Sequence, residues 1–390
     1  MTTTARRVLI TNYSLEERAG TQLFVRDLAV ALLRRGHLPV VYSPAHGVVA
    51  RELRAATVPV TDDLGKLTAR PDIIHAQHHL EAMTALLRFR DVPAIYYCHG
   101  WLPRVEAPPA FPRVLRYVAV DDTCRDRLVC EHGVPEDRAR VILNSVDLKK
   151  FRARRAPLPS RPQRALVFSN FAEESGYVAA VREACARYGI KLDVVGARAG
   201  GATDEPEKLL PRYDLVFAKA RCALEALACG ASVVLCDKVG AGEMVTTAEL
   251  ERLRRLNFGV RALNEEVSAE HLAREIARYD ATDATEVSRR VRASADQESA
   301  VEEITALYEE VIAEYETYAR DDDAAARRSR DEAEELAAAE YLRRLSLEVR
   351  RESDLLYNSR LGRLHRTLLR VPLVGSLAAW RRGEGGREPR

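Results

Sequence analysis

The chain carries no excess of charge of either sign. It has 60 Lys+Arg against 58 Asp+Glu, a formal net charge of +2, so it projects no long-range basic field and offers nucleic acid no electrostatic footprint. It has no apolar run near the roughly 20 residues that span a bilayer. Its first residues, MTTTARRVLITN, turn polar too soon for a signal peptide. Seven cysteines, an odd number, show no C-x-x-C spacing and mostly sit in apolar segments. That argues against a zinc site or a disulfide framework and for buried free thiols in a reducing compartment. No G-x-G-x-x-G follows the first strand, so a Rossmann dinucleotide site has no support. The expected localisation is cytoplasmic.

What is present is α/β alternation. With 390 residues and 47% hydrophobic content, the chain is long enough for roughly two to three domains with sizeable cores. Strand-like Arg7–Ile10 leads through Gly20-Thr21 to an amphipathic helix from Gln22 to Arg35, stopped by Gly36, and then to strand Pro39–Tyr42. Further apolar runs at Val58–Val60, Asp72–His75, Ala94–Tyr97, Tyr117–Val120 and Val141–Leu143 predict a mainly parallel sheet covered on both faces. Phe151 to Gln163, rich in proline and arginine, reads as a linker. A second series then runs through Ala165–Phe168, Leu192–Val195, Leu215–Phe217 and Val233–Cys236, followed by helices up to Tyr318. The boundaries are 1–152, a linker 153–163, 164–319, and a helical, partly charged tail 320–390. Two such domains predict a cleft between them.

Ligands of open α/β sheets bind at the carboxyl ends of the strands, which selects Gly20, His75, His99, Gly100, Asp121 and Asn144. His99, between an apolar strand and Gly100-Trp101, is placed to hydrogen-bond a substrate or to serve as a structural histidine. Gly20 reads either as a turn residue or as a point of close backbone approach. His75, His78 and His79 lack a carboxylate or cysteine partner at ligand spacing, so no metal is expected. In the second half, Tyr213–Thr247 runs strand, basic loop (Lys219, Arg221), a helix over Ala223–Cys229 carrying Glu225, strand, and a loop with Gly240, Gly242 and Glu243. A helix N-terminus favours anions, and two cations beside it predict a phosphate-bearing ligand. In the tail, Leu342, Leu345, Val349 and Leu356 suggest a helical hairpin or a short coiled coil. Arg360–Val371 is a basic amphipathic stretch suited to an anionic membrane surface or to the protein's own surface.

Taken in order, these motifs resemble the GT-B-fold glycosyltransferases, specifically the retaining group 1 or family 4 enzymes. The resemblance rests on Gly20-Thr21 with Arg35-Gly36-His37, Pro71–His75, Val141–Asp147 through Phe151, and Asp214 through Val234, and it covers about residues 7–319. It implies two Rossmann-like domains facing across a cleft, with a nucleotide-sugar donor, UDP- or GDP-linked, on the second. The acceptor, a glycan, a lipid-linked carrier or a small molecule, would lie against the first. It further implies that Glu225 holds the donor ribose and His99 meets the transferred sugar as the catalytic histidine. Asn170 and Gly196 fall on the donor side, and Gly20, Thr21 and Asn144 line the acceptor and phosphate loop. No cofactor or metal is required. The tail, about 330–375, would provide peripheral membrane contact, at the inner face, or helix-mediated self-association.

The sequence departs from the family pattern at three points. Phe217 stands where a first glutamate is usual, eight residues before Glu225. Ser169-Asn170-Phe171 carries no Arg/Lys pair for the diphosphate, and NGVD has become Asn144-Ser145-Val146-Asp147. Lys219 and Arg221 are the expected substitutes for the missing pair. A nucleotide-sugar epimerase and a non-catalytic sugar-nucleotide-binding or scaffold relative are the alternative functions.

Overall fold

The protein's computed structural model describes residues 4–173, 176–199, 201, 203–319 and 324–358. In the first domain β1 (Arg7–Thr11), β2 (Leu38–Tyr42), β3 (Val60–Thr61), β4 (Ile73–Ala76), β5 (Ala94–Cys98), β6 (Val114–Ala119) and β7 (Ala139–Val141) form one sheet. Its order is β3-β2-β1-β4-β5-β6-β7, and the pairings are parallel, with Leu9 opposite both Val40 and Ile74. Parallel neighbours need crossovers. Helices α1 (Gly20–Arg34), α2 (Val48–Ala55), α3 (His79–Arg88) and α4 (Asp122–Asp126) supply most of them, the last running on as a wider π turn over Arg127–Glu131. Coverage of both faces explains the near-continuous apolar strands: Leu9, Ile10, Ile73, Ile74, Ile95 and Tyr96 are all buried. The strand order reverses between β1 and β4, so the carboxyl ends of these strands and of β5 border the natural ligand crevice.

The second domain has β8 (Arg164–Phe168), β9 (Lys191–Val195), β10 (Leu215–Ala218), β11 (Ser232–Asp237) and β12 (Gly240–Met244) in the order β12-β11-β10-β8-β9. Around it lie α5 (Val178–Arg187), α6 (Pro206–Leu209), α7 (Ala220–Ala228), α8 (Leu250–Arg255), α9 (Ala269–Ala277) and α10 (Ala281–Ser294). Two differences from the periodicity reading bear on the site. Gly240–Glu243 is not a loop but part of β12, antiparallel to β11 at the sheet edge. Its glycines serve close packing, because a Cβ on Gly242 would lie 2.2 Å from the Ala262 carbonyl oxygen. Helix α7 starts at Ala220, three residues before the apolar spacing begins, so Lys219 becomes its N-cap and Arg221 falls in its first turn. Phe217 points away from α7, into the core shared with α5 and α9.

The chain crosses between domains twice, side by side. The Val146 N–H donates to the Ala295 carbonyl at 2.8 Å, and the Gln297 N–H returns to the Val146 carbonyl at 3.0 Å. Helix α11 (Gln297–Ala319) then lies on the first domain. Its buried Tyr308 shares a 2.7 Å hydrogen bond with His75, Glu309 pairs with Arg6, and Glu310 and Glu314 pair with Arg116.

The tail contains one continuous helix, α12 (Ala324–Asn358), where the apolar stripe suggests a hairpin or coiled coil. Leu336, Leu342, Val349 and Leu355 are exposed on it. The basic stretch Arg360–Val371 lies outside the described residues. Among the described residues no helix is long and apolar enough to cross a membrane.

Candidate functional site

Two helices of different domains open onto one cavity. Helix α1 begins at Gly20 behind Ala19, and α7 begins at Ala220 behind Lys219, neither with a side-chain cap. Uncapped N-termini leave backbone N–H groups for a ligand and carry the positive end of the helix dipole. The cavity between them holds about 150 Å³ and is lined by Gly20, Thr21, Phe24 and Asp27 of α1, His99 beyond β5, Asn144, and Ala220, Arg221 and Asn257 of the second domain. Five of the nine residues expected at the site, Gly20, Thr21, His99, Asn144 and Arg221, thus line one space. A Cβ on Gly20 would meet nothing within 4 Å, so this glycine keeps the helix end bare rather than relieving a clash.

His99 is held as a neutral hydrogen-bonding group. Its ring stacks on Tyr97 at 5.0 Å and meets the edge of Phe24 at 4.6 Å. Its backbone N–H donates to the Glu106 carboxylate at 2.9 Å, fixing the loop. Arg127 ties the same loop down through the Gly100 and Pro103 carbonyls. Burial pushes the imidazole pKa down to about 4, against a weaker upward pull from Glu106. The Nε2 atom is buried without a hydrogen-bond partner, as befits a group awaiting a ligand hydroxyl.

Arg221 lies between two carboxylates. Its Nε donates to Glu225 Oε1 at 2.7 Å, and its Nη2 reaches across the cleft to Asp27 Oδ2 at 2.6 Å. Burial disfavours its charge, but Asp27 and Glu225 outweigh that and raise its pKa. Burial also raises the pKa of Glu225, with Arg221 pulling the other way. On Asp27 burial is the largest influence, yet Arg221 and Arg26 together lower the pKa below the ordinary value. Glu225 is 5% exposed and lies beneath Arg221, outside the cavity lining.

The other three expected residues also lie outside that lining. Lys219 is paired with buried Asp237 at 2.6 Å, which spends its charge inside the second domain. Asn170 donates from Nδ2 to the Arg18 carbonyl at 3.2 Å, a contact between domains. Gly196 is needed for packing, since a Cβ there would lie 1.8 Å from the Ser169 carbonyl oxygen. Backbone of a neighbouring strand end cannot yield cheaply. Gly196→Ala should therefore lower stability by about 3 kcal/mol, the upper part of the usual overpacking range. A urea midpoint equal to that of the parent protein would refute this role.

Asp27, Arg254 and Asn257 escape sequence reasoning. They are ordinary polar residues on or beside amphipathic helices; the fold brings Asp27 and Asn257 to the cavity lining and sets Arg254 behind it, against the carbonyl of the lining residue Asn144. Among the described residues no group of three or more His, Cys, Asp or Glu side chains could hold a metal ion. His75 and His78 are engaged with Tyr308 and Glu106 instead.

This arrangement, two α/β domains with mainly parallel sheets and helix N-termini facing across a cavity, is the GT-B architecture. In the first domain, residues 18–150 match the family model described as Glycosyltransferase Family 4. Among solved structures, a glycosyltransferase from Rickettsia africae ESF-5 matches with a TM-score of 0.60 at 15% identity, covering 80% of this chain and 99% of that one. The Anabaena protein HepE, in complex with UDP and glucose, matches with a TM-score of 0.57 at 18% identity, covering 77% of this chain and 99% of that one. No curated protein matches the sequence.

Proposed function

We propose that the protein transfers a sugar from a nucleotide-sugar donor, UDP- or GDP-linked, to an acceptor hydroxyl, with retention of anomeric configuration and without a metal ion. The observation that carries the reading is the single cavity in which the starts of α1 and α7, neither with a side-chain cap, meet His99. The HepE complex with UDP and glucose supports the donor class. The donor diphosphate would sit at the start of α7, where N–H groups and the dipole stabilise charge as it leaves. His99 would hydrogen-bond the sugar, and the acceptor would approach from the first domain. As the bond from the anomeric carbon to the diphosphate oxygen breaks, the acceptor oxygen bonds the same face and its proton passes to the departing diphosphate. Such catalysis relies on positioning and electrostatic stabilisation rather than on a protein nucleophile. We place this work in the cytoplasm, with a glycan, lipid-linked carrier or small molecule as acceptor.

The test is to incubate the protein with a panel of nucleotide-sugars and acceptors, following nucleoside diphosphate release and the product anomer by NMR. Release with a retained anomer is the expected result, and an inverted product would refute retention. Exchange of sugar epimers without release would make the protein an epimerase. Thermal stabilisation by a nucleotide-sugar without turnover would make it a binding relative.

A further inference from the structure

Several cations of the second domain are already paired with carboxylates. Arg221 has Asp27 and Glu225, Lys219 has Asp237, and Arg198 has Glu173. Arg254, on α8, differs. It is 8% exposed, and no carboxylate pairs with it among the described residues. Its Nη2 donates to the Asn144 carbonyl, while Nε and Nη1 are buried with no hydrogen-bond partner. Burial alone pushes its pKa down, to about 10, with no acidic neighbour to oppose it. A buried guanidinium without a counter-charge is costly to a fold, and such groups concentrate where an anion is to be bound.

Its surroundings match that purpose. Asn144, which takes its one hydrogen bond, lines the cavity, and so does Asn257, three residues further along the chain. Asn257 is 5% exposed with Oδ1 unpartnered, so it presents a buried acceptor as well. The backbone at this corner is held in the left-handed region at Asn257, Phe258 and Ala220, with φ of 52°, 51° and 49°. The Phe258 carbonyl takes the Ala220 N–H at 2.8 Å. Strained non-glycine residues gathered at one place persist where function holds them. Here they lock the Asn257 turn against the start of α7, whose first N–H the Phe258 carbonyl takes.

We propose that Arg254 is a cation that binds the donor diphosphate, in place of the Arg/Lys pair missing from the Ser169-Asn170-Phe171 loop, while Asn257 Oδ1 accepts a hydroxyl of the same ligand. This rests on the nucleotide-sugar reading above. A guanidinium supplies charge-assisted hydrogen bonds to phosphate, each stronger than a neutral one. Losing it should weaken diphosphate binding about tenfold or more.

Calorimetric titration of the full chain with UDP, GDP, uridine, guanosine and inorganic pyrophosphate tests this, using the parent protein, Arg254→Gln and Arg254→Lys. The expected result is tenfold or greater weakening of the diphosphates and pyrophosphate by Arg254→Gln, with nucleoside binding unchanged and partial recovery in Arg254→Lys. Arg254→Gln should melt at or above the parent temperature, because it removes an unpaired buried charge; a structural arginine would show the opposite. Equal diphosphate affinity in the parent and in Arg254→Gln would overturn the proposal and leave the guanidinium to buried water. Binding of pyrophosphate through Arg254 without binding of any nucleotide would uphold the anion site and overturn the nucleotide-sugar reading. A parent protein that binds neither would overturn both.

Discussion

Arg221→Ala should lower the stability of the protein by about 3 kcal/mol and weaken donor binding. The first effect follows from what the guanidinium leaves behind. Removing one partner of a buried ion pair costs roughly 3–5 kcal/mol, because the remaining charge is stranded, and Arg221 leaves Glu225, at 2.7 Å, without its partner, while Asp27 loses one cation at 2.6 Å and keeps Arg26. The lower end applies because the Arg221 side chain keeps 22% exposure. The loss should depend on pH. Burial already raises the pKa of Glu225, and without Arg221 only the weaker pull of Lys150 offsets it. A carboxyl with a raised folded-state pKa favours the folded state at low pH and loses that advantage as pH rises above its unfolded value. The Arg221→Ala defect should therefore be larger at pH 8 than at pH 5, measured by urea denaturation. The double variant Arg221→Ala/Glu225→Gln should recover most of the stability. If it also recovers nucleoside diphosphate affinity, Arg221 merely holds the carboxylates; if affinity stays at least tenfold weaker, Arg221 faces the donor. Arg198 is the control. It is exposed, pairs with an exposed Glu173 and lies over Phe171, so Arg198→Ala should shift stability by no more than about 0.5 kcal/mol and donor binding far less than Arg221→Ala.

Arg221 also marks how far the sequence could be read. The GT-B architecture was legible because buried parallel strands and amphipathic helices leave different apolar periods, and because the signature stretches follow one another in order. Convergence of Gly20, His99, Asn144 and Arg221 was legible too, since strand-end and helix-start positions are where open sheets bind ligands. Charge partners were not. Lys219 and Arg221 read as two free cations beside a helix start, but Asp237 and Asp27 approach them from elements distant in sequence. Gly196 read as a ligand contact, whereas the nearest demand on it is the Ser169 backbone. The antiparallel β12 was hidden by its glycines, which depress strand propensity even where an edge strand needs them. Arg254 could not have been found from composition at all, because its singularity is the absence of a carboxylate partner among the described residues, and that exists only in three dimensions.

His99→Phe should reduce kcat/KM for sugar transfer by about 10²–10³-fold, the usual loss for one preorganised hydrogen-bonding group at a reacting centre, with little change in melting temperature. Phenylalanine is the informative replacement, because it preserves contact with Tyr97 and Phe24 and removes only the ring nitrogens. The parent pH profile adds a second reading. Burial holds the His99 pKa at about 4, so the ring is neutral throughout pH 5–8 and should contribute no ionisation there. Its unfolded pKa is near 6.5, so the stability stored in the neutral ring is complete above that value and is lost as pH falls toward 4. The parent protein should therefore lose folding stability below pH 6.5 while its transfer rate shows no histidine limb from this residue. A limb near pH 6–7 in the parent that vanishes in His99→Phe would mean that the ring is protonated in the working range and acts as an acid. Undiminished kcat/KM in His99→Phe would mean that the unpartnered Nε2 meets no substrate. A neutral imidazole with one unpartnered nitrogen can donate to or accept from a sugar hydroxyl, but it cannot stabilise a developing negative charge as a full cation would. That division leaves the departing diphosphate to the α7 N-terminus and the guanidinium groups beside it, and the sugar to His99.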